Sequence, residues 1–510
     1  YTLTISAEGF LPTELEGLVV NPNQITDGST VMGSSTEVTT VDVVEKIEAA
    51  TATAEAALAE RKLSVVVRDS ISAQEIRRST ASDAAGALEK VTGISIVDSG
   101  YVFVRGLGER YSATMLNNAM LPTTEPERRV VPLDLFPAHL IDTIKVLKTY
   151  SPDLPGEFSG GLVQMQTVEF PALKTLKVSA NFGFNTRTTA RQFQNYAGGR
   201  RDFFGFGDGT RSLPDAIPED NRLFPGRFTP QQFADFGRAF RGSYAIAPVE
   251  SMRPTQSYSV VAGNTYGRLG LVGALTFANT PQRCTEQQQY LVLGGRSQPS
   301  VFTAYQDFQA DQESVRMGGV LNAAIRLNAS SKVVFRNTLT RDTDKEGRRF
   351  TGLNGGIEST IEATRLRWVE RGLLSSGVEG EHAISSFGNS VARWQFTYSR
   401  SNRDEPDLRE TIRGLTPEGR FNFLPLPQSG FRFFNYLQDE IFEPQADWGI
   451  PFSKAGISGF FKLGFRGSFR NRDFNARRFR YVPVRTSTID FTAPTNVVLG
   501  PDNIRPDGFE

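Results

Sequence analysis

GLGERY, beginning at Gly106, sets two glycines one residue apart, the kind of spacing that lets a backbone wrap a phosphate. A dinucleotide-binding loop needs a third glycine where Tyr111 stands, and no GKT or GKS follows. Gly106 and Gly108 therefore predict tight backbone geometry in a hairpin. The only histidines, His139 and His382, stand far apart without metal-ligand spacing, so no zinc hydrolase site is visible. His139, among the apolar residues of LFPAHLID, reads as structural. SxxK, GxSxG and HExxH are absent, and no two carboxylates stand out as an acid and base pair. The expectation is no catalytic residue, no metal, no cofactor and no enzyme. Arg105 and Arg110, beside those glycines, read as solvated charges or ion-pair partners.

The elements that would carry these residues follow from composition and side-chain period. The 510 residues exceed one compact core, and Lys+Arg equals Asp+Glu at 56 each, which leaves no electrostatic footprint for nucleic acid. No apolar run approaches the roughly 18 to 20 residues of a membrane helix. A β-barrel stays open, since its apolar residues alternate with polar ones. Phe is frequent, at 38 residues, and the single Cys284 allows no intrachain disulfide.

Beyond Phe170 the period becomes two. Leu176, Val178, Ala180, Phe182 and Phe184 oppose Lys177, Ser179, Asn181, Gly183 and Asn185. Val315, Met317, Leu321, Ala323, Ile325 and Leu327 oppose Arg316, Gly318, Asn322 and Arg326. Ala392, Trp394, Phe396 and Tyr398 oppose Arg393, Gln395, Thr397 and Ser399, and Phe461, Leu463, Phe465 and Phe469 oppose Lys462, Gly464, Arg466, Ser468 and Arg470.

A soluble sandwich alternates too. Turn spacing decides between them. Short turns centred on 267, 329, 388 and 453 lie 62, 59 and 65 residues apart, with long polar connections expected at 188–253, 281–309, 342–357, 403–436 and from 473 onward. Short turns alternating with long excursions fit an outer-membrane barrel with its apolar face in lipid. Arginine is then expected to be tolerated at Gln395 and not at Phe396. About nine strands run from Lys174 to Asn471, against about 22 for a closed plugged barrel. The chain therefore reads as a fragment at both ends, continuing past Glu510.

Ahead of the strands the sequence is mixed. Residues 1–22 predict a hairpin turning near Gly9. Residues 23–64 predict a polar linker with a short β-prone segment, EVTTVDVV, and an Ala- and Glu-rich spacer helix. Residues 65–170 predict a compact α/β unit: Ser72 and Glu75 as a capping box, Gly93 ending a second helix, two strands joined at Asp98-Ser99-Gly100, and a final strand opened by Gly160 and Gly161. Residues 171–510 predict the N-terminal part of the barrel.

VRGLGERY at 104–111, PLDLFPAHLIDTIKVLK at 132–148 and SPDLPGEFSGG at 151–161, in that order and spacing, resemble the plug domain of TonB-dependent outer-membrane receptors. Residues 1–22 resemble, over a short stretch, the end of a carboxypeptidase-regulatory-like β-sandwich. The resemblance implies a mainly β fold: a transmembrane antiparallel β-barrel, incomplete in this chain, with a mixed α/β plug before it. It implies energised import of a scarce nutrient (siderophore-like, cobalamin, glycan or peptide) across the outer membrane. The implied partners are outer-membrane lipid and the periplasmic protein TonB with its inner-membrane complex. TonB would pair by strand addition with Val38, Thr39, Thr40, Val41, Asp42, Val43 and Val44. Arg105, and less so Arg110, would face wall carboxylates. The ligand-binding residues, in the long connections, are not identifiable. The rivals are a passive outer-membrane channel, which needs no ordered plug, and a secreted adhesin or glycan-binding protein, which would be extractable without detergent.

Overall fold

A computed structural model describes residues 3–5, 13–15, 67–79, 81, 83–97, 101–126, 131, 133, 136, 138, 141–150, 154–156, 160–167, 174–219, 222–224, 226–293, 299–384, 386–387, 390–454 and 457–509. The expected TonB-interacting residues and His139 lie outside this set. Near the N-terminus the described residues form one hairpin, β1 (Leu3–Ile5) against β2 (Thr13–Leu15).

The α/β unit is built round a five-stranded sheet. It comprises β3 (Arg68–Ser72), β6 (Ser112–Leu116), β7 (Ala119–Met120), β8 (Thr143–Leu147) and β9 (Gly161–Gln166) in the order β3-β8-β9-β6-β7. Helix α1 (Ala73–Arg78) begins with the expected capping box: Glu75 N–H donates to the Ser72 hydroxyl, and Ser72 N–H donates back to the Glu75 carboxylate at 2.9 Å. Helix α2 (Ala84–Leu88) stops well before Gly93. Gly93 (φ +72°) instead turns the chain into the hairpin of β4 (Ile94–Val97) and β5 (Tyr101–Val104). Leu88, Val104, Leu133, Ile144, Val146, Val163 and Met165 fill the core, and Leu373 of the large sheet closes it.

The large sheet is antiparallel throughout. It contains β10 (Thr175–Gly183), β11 (Thr255–Tyr266), β12 (Leu269–Leu293), β13 (Pro299–Asn328), β14 (Ser331–Asn354), β15 (Ser359–Ile384), β16 (Ser390–Leu415), the short β17 (Phe421–Phe423), β18 (Phe431–Lys454), β19 (Ile457–Arg466) and β20 (Phe469–Arg480). β19 and β20 both pair with β18, on its two halves. They are one wall strand broken at Gly467 and Ser468, so β17 apart the wall has nine strands among the described residues, as expected.

The two faces differ as the period requires. Val178, Val260, Leu275, Gly319, Leu339 and Leu374 pair in register across six strands, while the adjacent row is Ser179, Ser259, Thr276, Gly318, Thr340 and Leu373. In the first row Val178 is 70% exposed and Leu275 68%; in the second Thr340 is 1% exposed and faces the α/β unit's side of the sheet.

Two expectations fail. The connections expected at 281–309, 342–357 and 403–436 are mostly strand, leaving only 294–298 between β12 and β13, 355–358 between β14 and β15, and 416–420 and 424–430 between β16, β17 and β18. There the strands carry cross-strand ion pairs such as Arg349–Glu362 (2.5 Å) and Arg365–Glu410 (3.0 Å) in place of apolar alternation, so a search for apolar period two misses them. Likewise β18 runs through Pro451 to Lys454, where Lys454 pairs with Ile457, so the turn expected at 451–454 is strand.

Candidate functional site

The site is the seam where the α/β unit meets the polar face of the large sheet. Its centre is the segment NNAMLPTTEP, 117–126. Asn117 (φ 49°) and Asn118 (φ 65°) are both left-handed and join β6 to β7 in a two-residue turn, the conformation Asn tolerates best after Gly. That turn aims the segment along β16, β18 and β20. Gln395 donates to the Asn117 carbonyl at 2.7 Å, and Arg466 to that of Asn118 at 3.0 Å. The Met120 N–H donates to Glu443 at 2.6 Å and the Thr123 N–H to Asp439 at 3.1 Å. Ser401 donates to the Thr123 carbonyl at 2.7 Å, and Arg472 to the carbonyls of Glu125 and Pro126.

Buried charge along this seam is paired, as desolvation requires. Asp439 is 0% exposed and is held by Arg470, while Glu443 takes Arg466 at 3.1 Å. Arg403 reaches both carboxylate oxygens of Glu125 at 3.0 Å. At the other side of the unit Arg316 meets Asp83 at 3.0 Å, the same carboxylate that caps α2 through Gly86 N–H. Thr167 forms the exit from the unit. Its N–H and hydroxyl both donate to the Asn117 side chain, its carbonyl accepts from Arg336 at 2.8 Å, and its hydroxyl accepts from Asn322 at 3.0 Å.

The residues singled out by sequence do not sit in this seam. Arg105 (φ 54°) and Gly106 (φ 76°) form a left-handed pair closed by Leu107 N–H on the Val104 carbonyl at 3.1 Å. Arg105 donates to the Lys148 carbonyl at 3.3 Å, which corrects the expected pairing with a wall carboxylate. Arg110 is exposed in a single 3₁₀ turn. Gly106 needs its glycine for φ, whereas Gly108 has ordinary φ. Gly160 and Gly161 serve close approach: a Cβ on Gly161 would stand 2.7 Å from a Val104 methyl, and one on Gly160 3.1 Å from Leu107. Ion pairing across the seam runs the other way from expectation, with arginines on the wall and carboxylates on the inner unit. The sequence signal for this segment is Asn117-Asn118 between apolar residues, a hairpin-turn pair.

The connection expected at 188–253 falls between β10 and β11. It crosses the face of the sheet opposite the α/β unit, together with residues 481–509. Asp202 binds Lys345 (2.9 Å) and Arg211 (2.6 Å), the Gly205 carbonyl accepts from Thr343 and Arg341, and Gly207 N–H donates to Glu370. Burial pushes the Tyr196 phenol up to about 12 and that of Tyr244 upward as well. Tyr244, Phe423, Tyr481, Val498, Ile504 and Phe509 share a separate apolar core here.

The family described as TonB-dependent Receptor Plug Domain matches residues 59–162. The chain carries a TonB-dependent receptor plug domain. The plug's sheet and the 117–126 segment fall within or next to that match. No curated protein matches the chain. Among solved structures, BauA, the ferric preacinetobactin receptor from Acinetobacter baumannii, is 12% identical over 82% of this chain and 60% of its own, with a TM-score of 0.39. The outer membrane transporter YddB from Escherichia coli is 9% identical over 82% and 55%, with a TM-score of 0.33. The ferric citrate transporter FecA is 9% identical over 84% and 62%, with a TM-score of 0.32. The chain thus spans about 60% of the length of the first of these.

Proposed function

We propose that the chain is the plug and a nine-stranded part of the wall of an outer-membrane importer driven by TonB. The observation that carries this reading is the pairing of faces on one sheet. One face is fastened to the plug through buried hydrogen bonds; the other presents apolar rows that are exposed among the described residues. On β14 these rows run from Val333 to Leu339 before Arg341 and Thr343 engage the 188–253 segment. From the turn at Ser331 this is about ten residues, the length of a tilted strand crossing a bilayer. A polar lumen and a lipid-facing exterior require that arrangement.

A plug fastened by so many buried contacts blocks passive flow, which favours energised import over a passive channel. The outer membrane has no nucleotide supply of its own, so energy arrives mechanically, by TonB adding a strand to residues 38–44. The cargo is a scarce nutrient; siderophore, cobalamin, glycan and peptide all remain compatible with the residues.

The test is deletion of residues 37–44 in the full-length protein. Cargo binding at the cell surface is expected to persist while uptake is lost. Unchanged uptake refutes TonB coupling and favours the passive channel.

A further inference from the structure

Residues 200–207, RRDFFGFG, lie as a strap across the strands, just beyond the apolar rows and on the same face. Its underside is fixed to the wall. Asn279 donates to the Phe203 carbonyl at 3.3 Å, Thr343 and Arg341 both donate to the Gly205 carbonyl at 2.9 Å, and Gly207 N–H reaches Glu370 at 2.8 Å. Phe203 and Phe204 stand 5.8 and 6.1 Å from Phe277, which stacks with Tyr258 at 6.3 Å, and Tyr258 meets Phe182 edge-on at 6.0 Å. The outcome is a continuous aromatic band that begins two residues beyond Val260 and Leu275 and rises away from the short turn at Tyr266. Phe204 is 52% exposed and Phe206 is also exposed. Aromatic residues at such a border sit at the level of lipid headgroups.

The strap begins with two exposed arginines, Arg200 and Arg201. The neighbouring carboxylates are already engaged. Asp202 is held by Arg211 and Lys345, and Asp208 accepts the amides of Arg200 (2.8 Å) and Thr210 (3.2 Å) and the Thr210 hydroxyl (2.8 Å). Close by, Arg253 lies 4.6 Å over the Phe203 ring and 3.3 Å from Glu313.

We infer that this strap is a binding site for the phosphate groups of anionic lipid heads in the outer leaflet, with Arg200 and Arg201 as charged contacts and Phe204 and Phe206 as the apolar footing. The inference rests on the membrane reading above and adds a lipid site to it. Two exposed cations on the same short strap as exposed aromatic residues match a phosphate-bearing head whose acyl chains continue down the apolar rows. A membrane surface attracts each such cation appreciably, and arginine pairs with phosphate oxygens through two donors at once.

The test uses the full-length protein in detergent, first inserted into lipid vesicles to confirm integration, then exposed to lipid A carrying both phosphates or to the same lipid after phosphatase treatment. Retained lipid is counted by native mass spectrometry. The phosphorylated lipid is expected to be retained preferentially. Arg200→Gln/Arg201→Gln should weaken that retention roughly thirty-fold, about five- to sixfold per arginine, and Arg200→Lys/Arg201→Lys should keep most of it. Equal retention of the two lipids by the unaltered protein overturns the inference without any variant, and so does equal retention by the glutamine variant. If the unaltered protein does not enter vesicles, the membrane reading fails as well. Integration without phosphate preference removes only the lipid site.

Discussion

Arginine placed at Val260 and at Ser259 separates the two faces of the wall with neighbouring residues on one strand. Val260 sits in the row Val178, Val260, Leu275 and Leu339, and Ser259 in the row Ser179, Ser259, Thr276 and Thr340. Val260 is six residues above Tyr266 at the turn, which at about 3.4 Å per residue and a tilt near 45° puts it about 14 Å into an apolar band about 25 Å tall. A charge near the middle of such a band costs roughly 2–4 kcal/mol, or about 30- to 900-fold in the folded fraction. Ser259 has small polar neighbours, so Ser259→Arg is expected to cost less than about 1 kcal/mol. Gln395, the sequence-based choice for the tolerated site, is unsuitable because its amide holds the Asn117 carbonyl. The assay is denaturant unfolding of the full-length protein in lipid vesicles, with heat-modifiable gel mobility reporting assembly. Two variants of equal stability, or Ser259→Arg as the weaker one, would refute the assignment of faces.

Four further outcomes follow from the seam and the strap. Gly161→Ala should destabilise the plug by about 1–3 kcal/mol, because the new methyl meets Val104; Val104→Ala in the same chain should restore much of the loss in thermal unfolding. Asn118→Gly should be neutral or mildly stabilising, while Asn118→Val should cost on the order of 1–2 kcal/mol, since a β-branched residue resists φ 65°. A double-mutant cycle on Arg403 and Glu125 should give a coupling of about 1–3 kcal/mol, read as protease sensitivity of the plug; additivity would remove this pair from the fastening. Asp208, lowered to about 2 chiefly by the Arg200 amide, contributes above its ordinary value near 3.8 and loses that contribution as pH falls from about 4 to 2. Protection of the Arg200 amide against hydrogen exchange, taken relative to its intrinsic rate at each pH, should therefore fall over that window, and Asp208→Asn should abolish the fall.

The fold was legible where side-chain period and turn chemistry agree. Apolar residues at every second position announced the wall strands and their faces, and Ser72 with Glu75 announced the start of α1. The outer halves of β12 to β16 were hidden because both faces there are polar, with Arg349 and Glu362 pairing in place of apolar contacts. The path of 188–253 was hidden for a different reason: Lys345, Glu370 and Thr343, which receive it, lie far away in sequence and give no local signal. The seam followed the same logic. Glycines and arginines of the GLGERY stretch drew attention through their types, yet they serve the plug's own turns. Asn117, Thr123 and Glu125 are ordinary in composition and become partners only once β16 and β18 arrive beside them.

Most of the bonds that seat 117–126 on the wall take hold of peptide groups of the plug: the amides of Met120 and Thr123 and the carbonyls of Asn117, Asn118, Thr123, Glu125 and Pro126. A peptide group survives nearly any change of amino acid, so these bonds do not depend on which side chains the plug carries at Met120, Thr123 or Pro126, while they do depend on Gln395, Ser401, Asp439, Glu443, Arg466 and Arg472. Saturation mutagenesis would accordingly find that the bonds of this seat are lost through changes in the wall residues, and in the plug segment chiefly through changes at the Asn117-Asn118 bend and at Glu125.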